Sequence, residues 1–192
     1  RGVAALRRKP LPGMGIRICL WHEFRKPPYG GGNQFMLALS RGLAALGAEV
    51  VNNQLDDEVD VHICNATWFD PRLVEQLAAN RRCRVIHRLD GLVHLARGVA
   101  DRAIDDRAYE FNQRFASATV MQSAWCLEQA LALGYHPVRP IIVHNACDPA
   151  VFFPPRHPHP GRRIRLIATS WSDNSNKGSG FYKMLEQHLD WD

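Results

Sequence analysis

The sequence predicts an α/β fold built on a doubly wound parallel sheet, and three observations predict it. Short runs rich in Ile and Val recur along the chain. Amphipathic stretches of helical periodicity separate them. Gly-, Asn- and Pro-rich turns fall at the joins. Strands alternating with helices of roughly 10–15 residues point to crossover connections and a sheet covered on both faces.

Ile16-Arg17-Ile18-Cys19-Leu20-Trp21 is the first strand, and a polar, Pro- and Gly-rich loop runs from His22 to Gly32. From Asn33 to Leu46 the residues Phe35, Leu39, Leu43 and Leu46 share one helical face, and Gly47 stands where a helix ends in a left-handed residue. Glu49 to Asn53 and Val59 to Cys64 are the second and third strands. Asp70-Pro71 is an N-cap followed by a proline at the first helical position, opening a helix to about Ala79. Arg84 to His87 is the fourth strand, Asp101 to Phe115 a helix, and Thr119 to Met121 the fifth strand. Ser123 then caps a helix ending at Gly134, and Pro140 to His144 is the last strand of the set.

Composition shifts from Phe152 to Arg163, where four prolines and two histidines leave neither helix nor strand interior possible. The expected domains are therefore 1–153, a linker at 154–163, and the start of a second α/β domain at 164–192. In that last stretch Ile164 to Thr169 reads as a strand and Phe181 to Leu189 as a helix. One strand and one helix bury no core, so the sequence reads as a fragment that ends inside a second domain.

Of 192 residues, 46% are hydrophobic and 22% charged, which excludes the disordered and coiled-coil classes. No apolar run reaches the roughly 20 residues that span a bilayer, and Arg1 to Pro12 lacks the features of a secretory signal. The five cysteines form no C-x-x-C pair, and the reading is a reduced, cytoplasmic protein without structural zinc. A net charge of +5 suits an anionic partner, and is compatible with work at the inner face of an anionic membrane. Its scattered arginines, with no basic run interleaved with aromatics, argue against nucleic acid.

In open parallel sheets ligands bind beyond the carboxyl ends of the strands. Three such places carry candidates. Gly30, Gly31, Gly32 and Asn33 enter the first helix, where bare amides and the helix dipole make an anion cradle. The fourth strand ends in His87-Arg88-Leu89-Asp90-Gly91, groups suited to sugar hydroxyls or phosphate. Asn65 and Trp68 follow the third strand; the tryptophan could stack on a sugar ring, although packing in the core is the commoner fate. A dinucleotide fingerprint is contradicted by the glycine order and by Asn52-Asn53, where an acidic residue would hold a ribose. Asp190-Trp191-Asp192 spells D-x-D, but at a helix end, and reads as chance.

Several stretches together resemble family 4 retaining glycosyltransferases. Tyr29-Gly30-Gly31-Gly32-Asn33 followed by Gly47-Ala48-Glu49-Val50 resembles that family's "GG…L…L…G-H-E-V" opening. Ala118 to Trp125 is similar to its "A-D-x-V-I-x-Q-S-x-F" segment. His144-Asn145-Ala146-Cys147-Asp148 through Pro154 resembles its interdomain "N-G-V-D-x-x-x-F-x-P". His87 to Gly91 looks like the H-R-L-D-G of one bacterial subgroup, as does Thr169 to Asn174 running into Lys177-Gly178.

The resemblance implies a GT-B enzyme of two Rossmann-like domains, with the acceptor on the N-terminal one and a nucleotide-sugar, UDP- or GDP-linked, gripped by the other. Transfer to a saccharide or lipid-linked acceptor would proceed with retention and need no metal. By the same resemblance Gly31 and Gly32 lie near a diphosphate or acceptor anion, His87 touches the donor sugar, and Asn145 belongs to the interdomain segment. Lys177 matches the lysine that stabilises the departing diphosphate, where negative charge grows in the transition state. Trp171 stands where the family commonly has an arginine, and its E-x7-E element would lie beyond Asp192, so the fragment is expected to be inert alone. The competing reading is a non-catalytic Rossmann-like module for an anionic or phosphorylated ligand.

Overall fold

The computed structural model describes residues 15–26, 30–70, 72–79, 83–147, 153 and 175–189. The strand expected at Ile164–Thr169, the 154–163 linker, Trp171 and the D-x-D triplet lie outside the described residues.

Six strands form one all-parallel sheet: β1 (Arg17–Trp21), β2 (Glu49–Asn52), β3 (Val61–Asn65), β4 (Arg84–Leu89), β5 (Ala118–Met121) and β6 (Pro140–Ile142), in the order β2-β1-β3-β4-β5-β6. This is the doubly wound, Rossmann-like arrangement that the alternation predicts. The chain runs outward from β1 to β2, then returns past β1 to continue through β3. The reversal makes the carboxyl ends of β1 and β3 the topological switch point, where neighbouring connections leave on opposite faces and a crevice opens.

Side-chain alternation assigns the two faces. Ile18, Leu20, Ile63 and Ile86 point to one side and pack with Met36, Phe35 and Leu39 of α1 (Gly31–Ala45). Cys19, Trp21, Cys64 and Val85 point to the other, against Leu73 and Leu77 of α2 (Arg72–Ala79) and Phe111 of α4 (Ala103–Phe115). Leu89 and Met121 extend that second face to Ala108 and Tyr109 of α4 and to Cys126 and Ala130 of α5 (Ala124–Ala132). The sheet is thus wrapped by α1 on one side and by α2, α4 and α5 on the other.

Local signals act as expected at several ends. Ser123 Oγ accepts from the Cys126 amide at 3.1 Å, and Asp70 Oδ1 accepts from the Arg72 amide at 2.9 Å. Gly47 and Gly134 sit at φ 92° and 84° after α1 and α5, the left-handed geometry that ends a helix. Other expectations shift. Met36, not Leu46, anchors α1; Leu46 lies past the last turn and is 54% exposed. Ile104, in the first turn of α4, is exposed. β4 runs two residues further than His87, to Leu89, because Ala66 and the strand β5 both continue pairing with it.

Residues divide into two compact units, Arg1–Leu92 with Ala103–Asn145, and Val93–Arg102 with Ala146–Asp192. The division falls at 145, short of the expected 153. The second unit holds α3 (Val93–Arg97), a short helix the periodicity gave no hint of, a 3-10 turn at Ser175–Lys177, and α6 (Ser179–His188). Within it the Asn176 side chain donates to the Ala96 carbonyl at 3.2 Å. Among the described residues no helix is long and apolar enough to cross a membrane.

Candidate functional site

The first unit places a polar cluster at the switch point, on the α1 side of the sheet. Asn65 ends β3 and Arg88 lies near the end of β4, in register across the sheet. Both are buried, at 1% and 2% exposure. Arg88 Nη1 donates to Asn65 Oδ1 at 2.7 Å and pairs with Asp90 Oδ2 at 3.0 Å. Its guanidinium lies over the Phe35 ring, 4.1 Å from the centroid, a cation–π contact supplied by the second turn of α1. Arg88 Nε is buried and has no hydrogen-bond partner among the described residues. An enclosed charged donor left open is costly unless a group beyond the described residues meets it.

The first turn of α1 borders the same cluster. Gly30 is the N-cap at φ 48°, a backbone that side chains other than glycine rarely adopt. It offers no side-chain cap, and no acidic residue of the helix itself lies in the first turn, so the leading amides are left uncapped by the helix's own side chains. A Cβ on Gly31 would meet nothing within 4 Å, whereas one on Gly32 would stand 3.5 Å from Asn65 Nδ2 and 3.6 Å from Asp90 Oδ2. The missing side chain of Gly32 therefore keeps open the space between the helix mouth and the Arg88 cluster.

Asn33, expected to bind ligand, has its side chain committed elsewhere. It accepts from the Arg25 amide at 2.9 Å and donates to the Arg25 carbonyl at 2.8 Å, clamping the loop that enters the helix. Asn145 joins the cluster at one remove: its Nδ2 donates to Gln122 Oε1 at 2.6 Å, and Gln122 Nε2 donates to the Asp90 carbonyl.

His87 is placed differently from the expectation. It alternates with Arg88 along β4 and so faces the other side of the sheet, where it is fully buried against Phe111 and Phe69. Asn112 Oδ1 accepts from the Val138 amide, so its nitrogen must donate, to Thr119 Oγ1 at 2.8 Å and toward His87 Nδ1 at 3.2 Å. His87 Nε2 then donates to the Ala66 carbonyl at 2.7 Å. Both ring nitrogens are used, and burial lowers the pKa to about 4, against the weaker opposing pull of the Ala66 carbonyl and Asp90. This histidine is a neutral strut under the site, not a group exposed within it.

Lys177 belongs to the second unit, exposed at the end of the 3-10 turn, with Gly178 (φ 80°) capping α6 behind it.

Two residues that the sequence reading passed over are central. His22, immediately after β1, is buried and places Nδ1 3.0 Å from Asn65 Nδ2. Burial lowers its pKa, partly offset by the Asp90 carboxylate. Asn53, in the left-handed region at φ 52°, holds the backbone of His22 by two bonds, accepting from its amide at 3.0 Å and donating to its carbonyl at 2.8 Å. The asparagine that counted against a ribose-binding acid thus has a structural use. The signal available in the sequence was position alone: both residues stand at carboxyl ends of strands flanking the switch point.

An open cleft of about 400 Å³ adjoins the cluster, lined by His22, Asn53, Thr67, Trp68 and Asp70 among others. Trp68 is 48% exposed, with its indole available to a ligand and not in the core. Ala66, between the cleft and the core, sits at φ 47°, a strained conformation for a residue with a Cβ. Among the described residues no group of three or more metal-ligating side chains is gathered. The arrangement can receive an anion on Arg88 and the α1 amides, and a hydroxylated ring beside Trp68. No family model, curated protein or solved structure matches the chain.

Proposed function

We propose that the first unit is the acceptor side of a retaining glycosyltransferase, which transfers a sugar from a UDP- or GDP-linked donor to a saccharide or lipid-linked acceptor. The observation that carries the proposal is the open Nε of buried Arg88 beside an uncapped, glycine-lined helix mouth. Such a pairing suits a phosphate or other compact anion, since helix amides and a guanidinium fork both match its oxygens. The adjoining cleft, with an exposed indole and several hydrogen-bonding groups, suits a sugar ring. In this reading Asn65 and Asp90 hold Arg88, Gly30 to Gly32 leave room for the anion, and Asn145 braces Asp90 through Gln122. Lys177 is assigned, on the family resemblance, to neutralise the departing diphosphate.

The test is transfer by the protein that carries this chain, assayed with UDP- and GDP-sugars against sugar and lipid-linked acceptors. Arg88→Ala is expected to lower kcat/KM at least tenfold, roughly 1.4 kcal/mol of transition-state stabilisation. Absence of transfer with every donor, or wild-type kinetics in Arg88→Ala, overturns the reading.

The burial of His87 favours a second reading, because it leaves the described cluster without the expected donor-sugar contact. A non-catalytic module would bind a phosphorylated ligand through Arg88 with no turnover. Ligand affinity lost in Arg88→Ala, together with no donor consumption by the wild type, would select it.

A further inference from the structure

Asn65 stands between two side chains whose chemistry fixes which way its amide points. Arg88 carries only donors, so the Asn65 atom 2.7 Å from its Nη1 is the oxygen. The Asn65 nitrogen therefore donates to the group on its other side, His22 Nδ1 at 3.0 Å. A ring nitrogen that accepts carries no proton, so His22 is neutral, with its hydrogen on Nε2. Were Nδ1 protonated, N–H would face N–H. Asn65 could relieve that only by turning its amide over, which sets its nitrogen against the donors of Arg88.

We propose that His22 is a positioning residue for the Arg88 anion site: its unprotonated Nδ1 holds the Asn65 amide in the one orientation that seats Arg88. The inference rests on the reading of Arg88 as the anion receptor given above. The paired bonds to Asn53 fix the backbone from which the His22 ring reaches Asn65. The charged groups facing His22 are Asp90 and Arg88 from the β4 end and Glu23 from its own segment, while Asp70 lines the same cleft and Phe24 meets the ring edge-on. Asp90 favours the protonated ring; burial and Arg88 disfavour it.

The sign of the effect makes the role testable. By Coulomb attraction alone, a proton on His22 adds positive charge near a bound anion and tightens binding. Positioning predicts the opposite, because the proton releases Asn65 from Arg88.

The probe is sulfate, whose charge is constant over the range used, titrated into the 192-residue chain and read on the side-chain N–H resonances of Arg88 and Asn65. Sulfate affinity of the wild type is expected to weaken by at least about fivefold between about pH 7.5 and the lowest pH at which the chain stays folded. His22→Asn, which offers an amide oxygen in place of Nδ1 but does not titrate, is expected to bind as the wild type does at the higher pH and to keep that affinity at the lower one. Arg88→Ala is expected to abolish binding at both. Wild-type affinity that rises or stays level on acidification, or a His22→Asn profile that still follows pH, overturns the role of His22 while leaving the anion site standing. Sulfate binding that survives Arg88→Ala overturns the anion site and the positioning role together.

Discussion

The Nε2 of His87 lies 2.7 Å from the carbonyl oxygen of Ala66, and that bond joins the strained turn after β3 to the core beneath β4. Burial, with Asn112 donating toward the other nitrogen, holds the imidazole in its neutral form against the opposing pull of that carbonyl. His62 is held alike, its Nδ1 accepting from Trp21 Nε1 at 2.9 Å, and burial lowers its pKa too.

Acid should therefore weaken the fold before the carboxylates titrate. The folded pKa of His87 is depressed to about 4 from 6.5. Above 6.5 both folded and unfolded forms are neutral and nothing is lost. As pH falls below that, the unfolded chain takes up a proton that the folded one refuses, and the loss grows until the folded pKa is reached, about 3 kcal/mol for this residue alone. Urea midpoints measured between about pH 7.5 and about pH 4.5 should fall accordingly. A His87→Gln variant should show a shallower pH dependence, whatever its stability at neutral pH.

Filling the helix mouth should separate the three glycines. Gly31→Ala meets open space inside a helix, and should leave the protein folded and as stable or slightly more so, by up to about 1 kcal/mol. Gly30→Ala places a Cβ at φ 48° and should cost roughly 1–2 kcal/mol. Gly32→Val should fold yet lose sulfate binding and at least about tenfold in kcat/KM, because its side chain projects toward Asn65 and Asp90. Melting temperatures alongside sulfate titrations separate these outcomes.

Asn53→Ala removes both bonds to the His22 backbone and leaves an alanine in a left-handed position. A loss of roughly 2–3 kcal/mol in denaturant unfolding is expected. Asn53→Gly relieves the backbone conformation while still breaking the bonds, and should recover about 1 kcal/mol of that loss.

Trp68→Ala should leave stability within about 0.5 kcal/mol, since the indole is half exposed. Acceptor binding should weaken several-fold, raising KM for acceptor and not for donor. An unchanged acceptor KM would remove Trp68 from the cleft's function.

The sequence by itself determined the parallel α/β sheet. Strand-length apolar runs such as Ile16–Trp21 can satisfy their backbone only by pairing, and the helical stretches between them are long enough to cross over and cover both faces. Caps and stops were equally legible, because Ser123, Asp70, Gly47 and Gly134 act on backbone a few residues away. The carboxyl-end rule also located Asn65, Arg88, Asp90 and the glycines correctly at one end of the sheet. What local sequence could not settle was the face on which each side chain falls. His87 and Arg88 are adjacent in the chain, yet the pleat sends one into the aromatic core and the other into the cluster over Phe35. Nor could it show that His22 and Asn65, 43 residues apart, share a hydrogen bond, because that contact exists only once β1 and β3 lie side by side at the switch point. Pattern sets the elements, which depend on near neighbours; strand order and register decide which distant groups meet, and those groups make the candidate site.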